Sequence, residues 1–320
     1  MKKRELARCA AVAAVILVSA PGCPHRGGGA SRDKTEWDRV ATPKKYFSSV
    51  VSPWDKGVVN PLGAAVEAVP AARRGAVIDL GTGIGNGVPM LARAFGRVVA
   101  IDYAPRMVAS ARGRHGHLKN VTFAVADMRD LARYHRQFDA AVAVNSVLLP
   151  SDRDVTRMLR EAHACLKPGG YLFGVFPSVE SEAYIAMLTF EREHRKVRDE
   201  RRAWVRTERI IDRDRIDFLR GIVGKSAVTQ KFYYRFELIR RLRRAGFGDI
   251  RVGKVVYPWR LLDDPEARAF RGNPGFWDWF VSARKPAARK PTLRKPAALE
   301  PAPARPPRSS LRPRDHPRRR

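Results

Sequence analysis

Five short apolar runs punctuate the first half of the chain: residues 77–80, 98–101, 121–125, 140–144 and 171–176. Each is four to six residues long and rich in valine, isoleucine, alanine or aromatics, which is strand length rather than helix length. Between them the pattern changes period. Val88, Leu91, Ala92 and Phe95 recur at helical spacing, and a second helical segment covers residues 152–166 before Lys167-Pro168-Gly169-Gly170 stops it. Strands alternating with helices at this rhythm predict βαβ units and a mostly parallel sheet.

The second half is patterned less regularly. Residues 179–205 read as one helix, apolar at first (Ala183, Tyr184, Met187, Leu188) and then charged. Residues 206–219 predict a hairpin turning near Asp212-Arg213-Asp214, and 235–245 predict a helix ended by Ala245-Gly246-Phe247. A strand follows over 249–257, then a loop or short helix, then a last strand over 276–283. Scattered aromatics (Trp37, Tyr46, Phe47, Trp54) precede the first strand and either lie over a binding site or simply cover the sheet.

The chemistry gathers where the strands end. The first runs Val77-Ile78-Asp79-Leu80 into Gly81-Thr82-Gly83-Ile84-Gly85 and then a helix. Glycine there tolerates positive φ and lets backbone approach a ligand, while a helix N-terminus offers free N–H groups. The dinucleotide spacing G-x-G-x-x-G fails, because the sixth position is Asn86 counted from Gly81 and Val88 counted from Gly83. The second strand ends in Asp102, 21 residues beyond Gly81, the third in Asp127 and the fourth in Asn145. Ligands of open parallel sheets bind at such carboxyl ends.

Asp79-x-Gly81-x-Gly83-x-Gly85, Asp102, Asp127-Met128 and the run Leu166-Lys167-Pro168-Gly169-Gly170-Tyr171-Leu172 together resemble the class I S-adenosylmethionine (SAM)-dependent methyltransferases. The resemblance covers residues 77–176. It implies an α/β, Rossmann-like, seven-stranded mostly parallel sheet with helices on both faces and a last antiparallel strand. It also implies SAM as cofactor. Gly81, Thr82, Gly83 and Gly85 would admit its methionine end, Asp79 would face the ammonium, and Asp102 would hold the ribose. Tyr103 and Met107 would pack on the adenine, Asp127 and Met128 would contact it, and Asn145 would touch substrate or the methionine moiety. Tyr46 and Tyr233 are candidate substrate-pocket residues. No catalytic residue declares itself, and no Cys/His grouping has metal-ligand spacing. His163, mid-helix, reads as a packing or surface residue.

Composition adds the flanks. Lys and Arg outnumber Asp and Glu 62 to 32, a formal charge of +30. Residues 284–320 hold 13 basic residues, 2 acidic ones and 9 prolines, too little apolar surface to offset chain entropy, so they read as a disordered, basic, Pro-rich tail able to bind a polyanion such as nucleic acid or anionic lipid. Lys2, Lys3 and Arg4 precede an apolar run over 9–20 and then Pro21-Gly22-Cys23, the layout of an export signal. Twelve residues of helix reach about 18 Å, short of the ~30 Å hydrocarbon core. Export would separate a SAM enzyme from its cofactor. The expected location is therefore cytoplasmic, with membrane association through this segment or lipoprotein export at Cys23 as alternatives. Three cysteines make no disulfide framework.

The organisation expected is a signal-like segment and linker over 1–35, a methyltransferase domain over 36–285 with a lid or insert over 179–235, and the tail over 286–320. The function expected is methyl transfer from SAM to a small molecule. The alternatives are a methyltransferase acting on RNA or protein, and a non-catalytic SAM-fold module with a polyanion-binding tail. The fourth strand continues as Asn145-Ser146-Val147-Leu148 and lacks the Asn-Pro-Pro-Tyr-like sequence that marks methylation at planar nitrogen.

Overall fold

A computed structural model of the protein describes residues 29–42, 52–212, 216–224, 229–262 and 265–287. The N-terminal signal-like segment, Tyr46 and the tail beyond Ala287 lie outside these residues.

The apolar runs become the strands of one sheet: β1 (Ala76–Leu80), β2 (Arg97–Asp102), β3 (Val121–Val125), β4 (Phe138–Val144) and β5 (Leu166–Pro177). β9 (Gly248–Tyr257) and β10 (Phe276–Arg284) complete it in the order β3-β2-β1-β4-β5-β10-β9. β1 pairs in parallel with β2 and β4, and β4 with β5, while β10 is antiparallel to both its neighbours. The expected seven-stranded sheet with one reversed strand is the observed one. β5 begins at Leu166, earlier than the apolar pattern marks it, because Leu166 pairs with Phe138 before a register shift admits the glycines.

Period-two alternation sorts the strands onto two cores. Ile78, Leu80, Ala141 and Ala143 face one side, packed by Val155, Leu159 and Ala162 of α5 (Asp152–Cys165) and Leu238 and Leu242 of α8 (Arg235–Arg244). Val77, Val98, Ala140 and Val142 face the other, against Leu62 and Val66 of α2 (Leu62–Glu67), Leu91 of α3 (Val88–Ala94) and Ile185 and Leu188 of α6 (Val179–Val197). Cys165 closes α5 as a buried free thiol, pushed up to about 12 by burial. His163, in the last turn of α5 rather than mid-helix, packs edge-on against Phe247, 5.0 Å between ring centres.

Four sequence expectations are corrected. Residues 179–205 are not one helix: the chain breaks at Arg198, held at φ 47°, and resumes as α7 (Glu200–Asp212). The break turns α7 back onto α6, and Trp204 stacks on Phe190 with ring centres 4.1 Å apart. The hairpin expected over 206–219 is therefore helix up to Asp212, and the small sheet lies later, as β6 (Ile216–Asp217), β7 (Ile222–Val223) and β8 (Gln230–Lys231). The Gly-rich linker ends early, because α1 (Gly29–Val40) already occupies its last residues and seats Trp37, Val40 and Ala41 against Ile84 and Met107. Finally, the first tail residues are ordered. Arg284 ends β10, and Lys285 exchanges backbone hydrogen bonds with Gly169 and Gly170 while its ammonium donates to the carbonyls of His163 and Leu166.

At the amino end of β1, the buried Asp139 carboxylate accepts from the Ala76 N–H at 2.9 Å and from the Lys167 ammonium at 2.9–3.0 Å. Asp139→Ala strands a buried N–H, so urea unfolding should report a loss of about 1–3 kcal/mol. Ligand affinity at the far end of the sheet should not change.

Candidate functional site

The glycine turn after β1 and the end of β2 are held by one carboxylate. Asp102 accepts from the Gly83 N–H through Oδ2 and from the Ala104 N–H through Oδ1, both at 2.9 Å. The second bond fixes the entry into α4 (Pro105–His115), and the Gly81 and Thr82 N–H groups both donate to the Ile101 carbonyl. Gly81, Gly83 and Gly85 all have positive φ (74°, 55° and 83°). Their roles differ. A Cβ on Gly81 would come within 2.4 Å of Ser146 Cβ, and one on Gly85 within 2.8 Å of the His115 ring. Ser146 in turn donates to the Leu80 carbonyl at 2.6 Å, pinning the turn after β4 to that after β1.

Above these turns a cavity opens to the solvent. Gly81, Gly83, Asp102, Tyr103, Met107, Asp127, Met128 and Asn145, eight of the residues expected from the sequence, line it together. Trp37 covers it from α1, so the N-terminal aromatics split: Trp37 forms part of the site, whereas Trp54 packs over Gly87 and the sheet. Three expected residues fall behind the wall. Asp79, Thr82 and Gly85 are buried and do not line the cavity. Tyr233 does not line the cavity: it lies fully buried, donates its hydroxyl to the Val147 carbonyl at 2.6 Å and packs edge-on against Phe176.

Electrostatics differ sharply from the rest of this basic chain. Burial pushes Asp102 up to about 6, opposed by its bonds from Ala104 and Gly83 and assisted by the Asp38 charge. Asp79 is pushed to about 6 chiefly by burial, with the Asp102 charge adding to it. Its neighbour Thr82 is left with a buried hydroxyl that makes no full hydrogen bond. Burial acts upward on Asp127 as well, but Arg129 overrides it, gripping the carboxylate with Nε and Nη2 at 2.7–3.1 Å, and Asp127 ends below the usual carboxylate range.

Behind Asn145 lies a group that sequence reading missed. Asn145 sits at φ 46°, donates Nδ2 to Asp278 Oδ2 at 2.9 Å, and leaves its own Oδ1 buried without a partner. The Tyr257 hydroxyl donates to the same Asp278 oxygen at 2.7 Å. An acid between two tryptophans in a strand otherwise apolar over Phe276–Val281 was the available signal; its partner is 133 residues away. Gln230, from β8, was also missed as a wall residue. Among the described residues no group of His, Cys, Asp and Glu could hold a metal ion, and no helix is long and apolar enough to cross a membrane.

This geometry agrees with the family comparison, in which residues 77–170 match the model described as a methyltransferase domain. Residues 77–170 form a class I SAM-dependent methyltransferase domain. A wheat (Triticum aestivum) phosphoethanolamine N-methyltransferase is 29% identical over 107 residues, covering 33% of this chain and 21% of the relative. A demethylmenaquinone methyltransferase of Tropheryma whipplei is 34% identical over 96 residues, 30% of this chain and 39% of the relative. The chain thus spans about a fifth to two fifths of the length of these curated relatives. In fold, it is similar to a Burkholderia thailandensis 1,6-didemethyltoxoflavin-N1-methyltransferase, with a TM-score of 0.54 at 17% identity, over 83% of this chain and 94% of that one.

The methyltransferase domain's cavity fits SAM in its donor set. Two carboxylates, an unpartnered amide oxygen on Asn145 and the backbone at Gly81 and Gly83 offer acceptors and close approach to a cationic, hydroxyl-bearing ligand.

Burial pushes Asp278 from 3.8 to about 7, against the opposing pull of its Asn145 and Tyr257 hydrogen bonds. The folded state then keeps a proton that the unfolded chain has released. This group's contribution is most favourable below pH ~4, declines between about 4 and 7 and is flat above. Asp278→Asn removes that dependence. The stability of the variant relative to wild type should rise across pH 4–7, by on the order of 2–4 kcal/mol. Denaturant midpoints at half-unit pH steps check it, and parallel curves would refute it.

Proposed function

We propose that the protein is a SAM-dependent methyltransferase acting on a small molecule enclosed in this cavity. The observation that carries the reading is the convergence of Gly81, Gly83, Asp102, Asp127 and Asn145 on one cavity, inside a domain of methyltransferase type. When bound, SAM supplies a methyl carbon already activated by its sulfonium. The chain's own residues then have to bind, orient and exclude water. Asp102 holds the ribose hydroxyls while its backbone bonds keep it rigid, Met107 and Met128 flank the adenine, and Asn145 Oδ1 accepts from the methionine ammonium or from the acceptor. Trp37 and the insert close the cavity from above.

The wall residues set a limit on proton chemistry. Asp102 is committed to two backbone N–H groups and Asp127 to Arg129, and among the described wall residues there is no histidine, cysteine or lysine. An acceptor that attacks through a lone pair, or whose proton leaves to water, suits such a site.

Asp102→Ala should weaken SAM or S-adenosylhomocysteine binding by about 1.5–3 kcal/mol, with the domain still folded, because the ribose loses a charged acceptor and the glycine turn loses its clamp. Calorimetry showing unchanged affinity, or no binding by the wild type, would refute the reading.

We also infer that the basic segment following Ala287, with eleven Lys and Arg against two acidic residues, attracts polyanions independently of methyl transfer. A chain ending at Ala287 should keep its SAM affinity and lose binding to duplex DNA or anionic vesicles. The intact chain's binding should fall steeply with salt through counterion release. Salt-independent binding, or binding kept by the truncated chain, would count against it.

A further inference from the structure

One end of the cavity is built unlike the other. Asn145, Leu148 and Leu149 of the connection from β4 to α5 line it with Thr229 and Gln230, and the Lys231 N–H donates to the Leu148 carbonyl at 2.8 Å, locking β8 against that connection. Behind them the buried Lys231 ammonium donates to the Arg220 and Phe232 carbonyls and to Glu237, which fixes the strand carrying Gln230. Gln230 is only 5% exposed, yet its Nε2 donor has no partner. Asn145 Oδ1, on the same wall, is an acceptor equally unmet. Buried polar groups are ordinarily paired, and an unmet one costs about 1–3 kcal/mol, a cost relieved when a ligand supplies the partner.

None of these five side chains is charged. Among the described residues lining the cavity, Arg129 is the only basic one, and Asp127 engages it through two nitrogens. A phosphate pressed against this end would be desolvated with no counter-charge among the side chains lining it, which is strongly unfavourable. In the strand order β3-β2-β1-β4, Asp102 and Asp127 lie on the other side of β1 from Asn145. The cavity therefore has a charged half and a neutral half, in a chain whose formal charge is +30.

We propose that the neutral half is the acceptor subsite, and that it selects an uncharged, mainly apolar molecule bearing an oxygen or ring nitrogen that accepts a hydrogen bond from Gln230 Nε2. This rests on the methyl-transfer reading above and narrows it to a substrate class. Leu148 and Leu149 supply the apolar contact, and Gln230 sets orientation and discrimination. An acceptor lacking the oxygen or nitrogen leaves the buried amide unpaired, and an anionic one meets no counter-ion.

The test uses the full chain saturated with S-adenosylhomocysteine and equilibrium dialysis of three probes: 2-naphthol, 2-fluoronaphthalene and 2-naphthyl phosphate. Naphthol should bind about tenfold more tightly than either of the others, the worth of one hydrogen bond to a buried amide. Gln230→Leu should erase the preference over 2-fluoronaphthalene, keep that over the phosphate and leave S-adenosylhomocysteine affinity unchanged, which also shows that the variant is folded. Gln230→Met, of similar length and without a donor, repeats the measurement if the leucine variant fails to fold. Equal binding of the three probes, no naphthol binding to wild type, or a preference over 2-fluoronaphthalene that survives both substitutions would overturn the subsite while the donor reading stands. Failure of the wild type to bind S-adenosylhomocysteine would overturn both.

Discussion

The site depends on the two hydrogen bonds that Asp102 accepts. A buried carboxylate at the end of β2 takes one N–H from the glycine turn after β1 and one from the first turn of the following helix. Those two backbone segments belong to successive βαβ units, and the shared acceptor fixes their separation, which is the width of the cavity floor. Burial makes the charged form costly, so the bonds are what let Asp102 sit there at all. Ser146 performs the matching task between β1 and β4 through the Leu80 carbonyl. Three neighbouring strand ends are thus tied across their gaps, and a ligand inherits a wall already in place.

How far this was legible in the sequence depended on whether the signal was local. The five parallel strands were plain because each is apolar on both faces, and the strand-end acids stood out as polar residues closing apolar runs. Eight of those predicted positions share the cavity. Asp79, Thr82 and Gly85 sit behind the cavity wall: a residue's number places it near the strand end but does not say whether it reaches the open face. Residues 179–212 misled for another reason. The break at Arg198 has neither glycine nor proline to announce it, and it is stabilised by packing between α6 and α7, including the Phe190–Trp204 stack. Asp278 and Gln230 needed tertiary information, because both reach the site from segments more than eighty residues beyond the strand ends they join.

A wall with one charged and one neutral half also explains why overall composition says little about the ligand. The excess of lysine and arginine lies elsewhere on the chain, and the cavity answers to a handful of carboxylates and amides. Net charge governs what the molecule is drawn towards; the buried groups govern what it can hold.

The position of β10 has a consequence for how the chain is made. It inserts between β5 and β9, so the β5 edge, formed by residues 166–177, has its final neighbour only when residues 276–284 exist. During synthesis about a hundred residues emerge between the two, and for that interval an apolar strand presents unpaired N–H and C=O groups to the solvent, the geometry that invites pairing with another chain. Closure of such a long loop is entropically slow. The interval between β5 and β10 is thus the period when the nascent protein is most open to aggregation, and chaperone capture would matter most then.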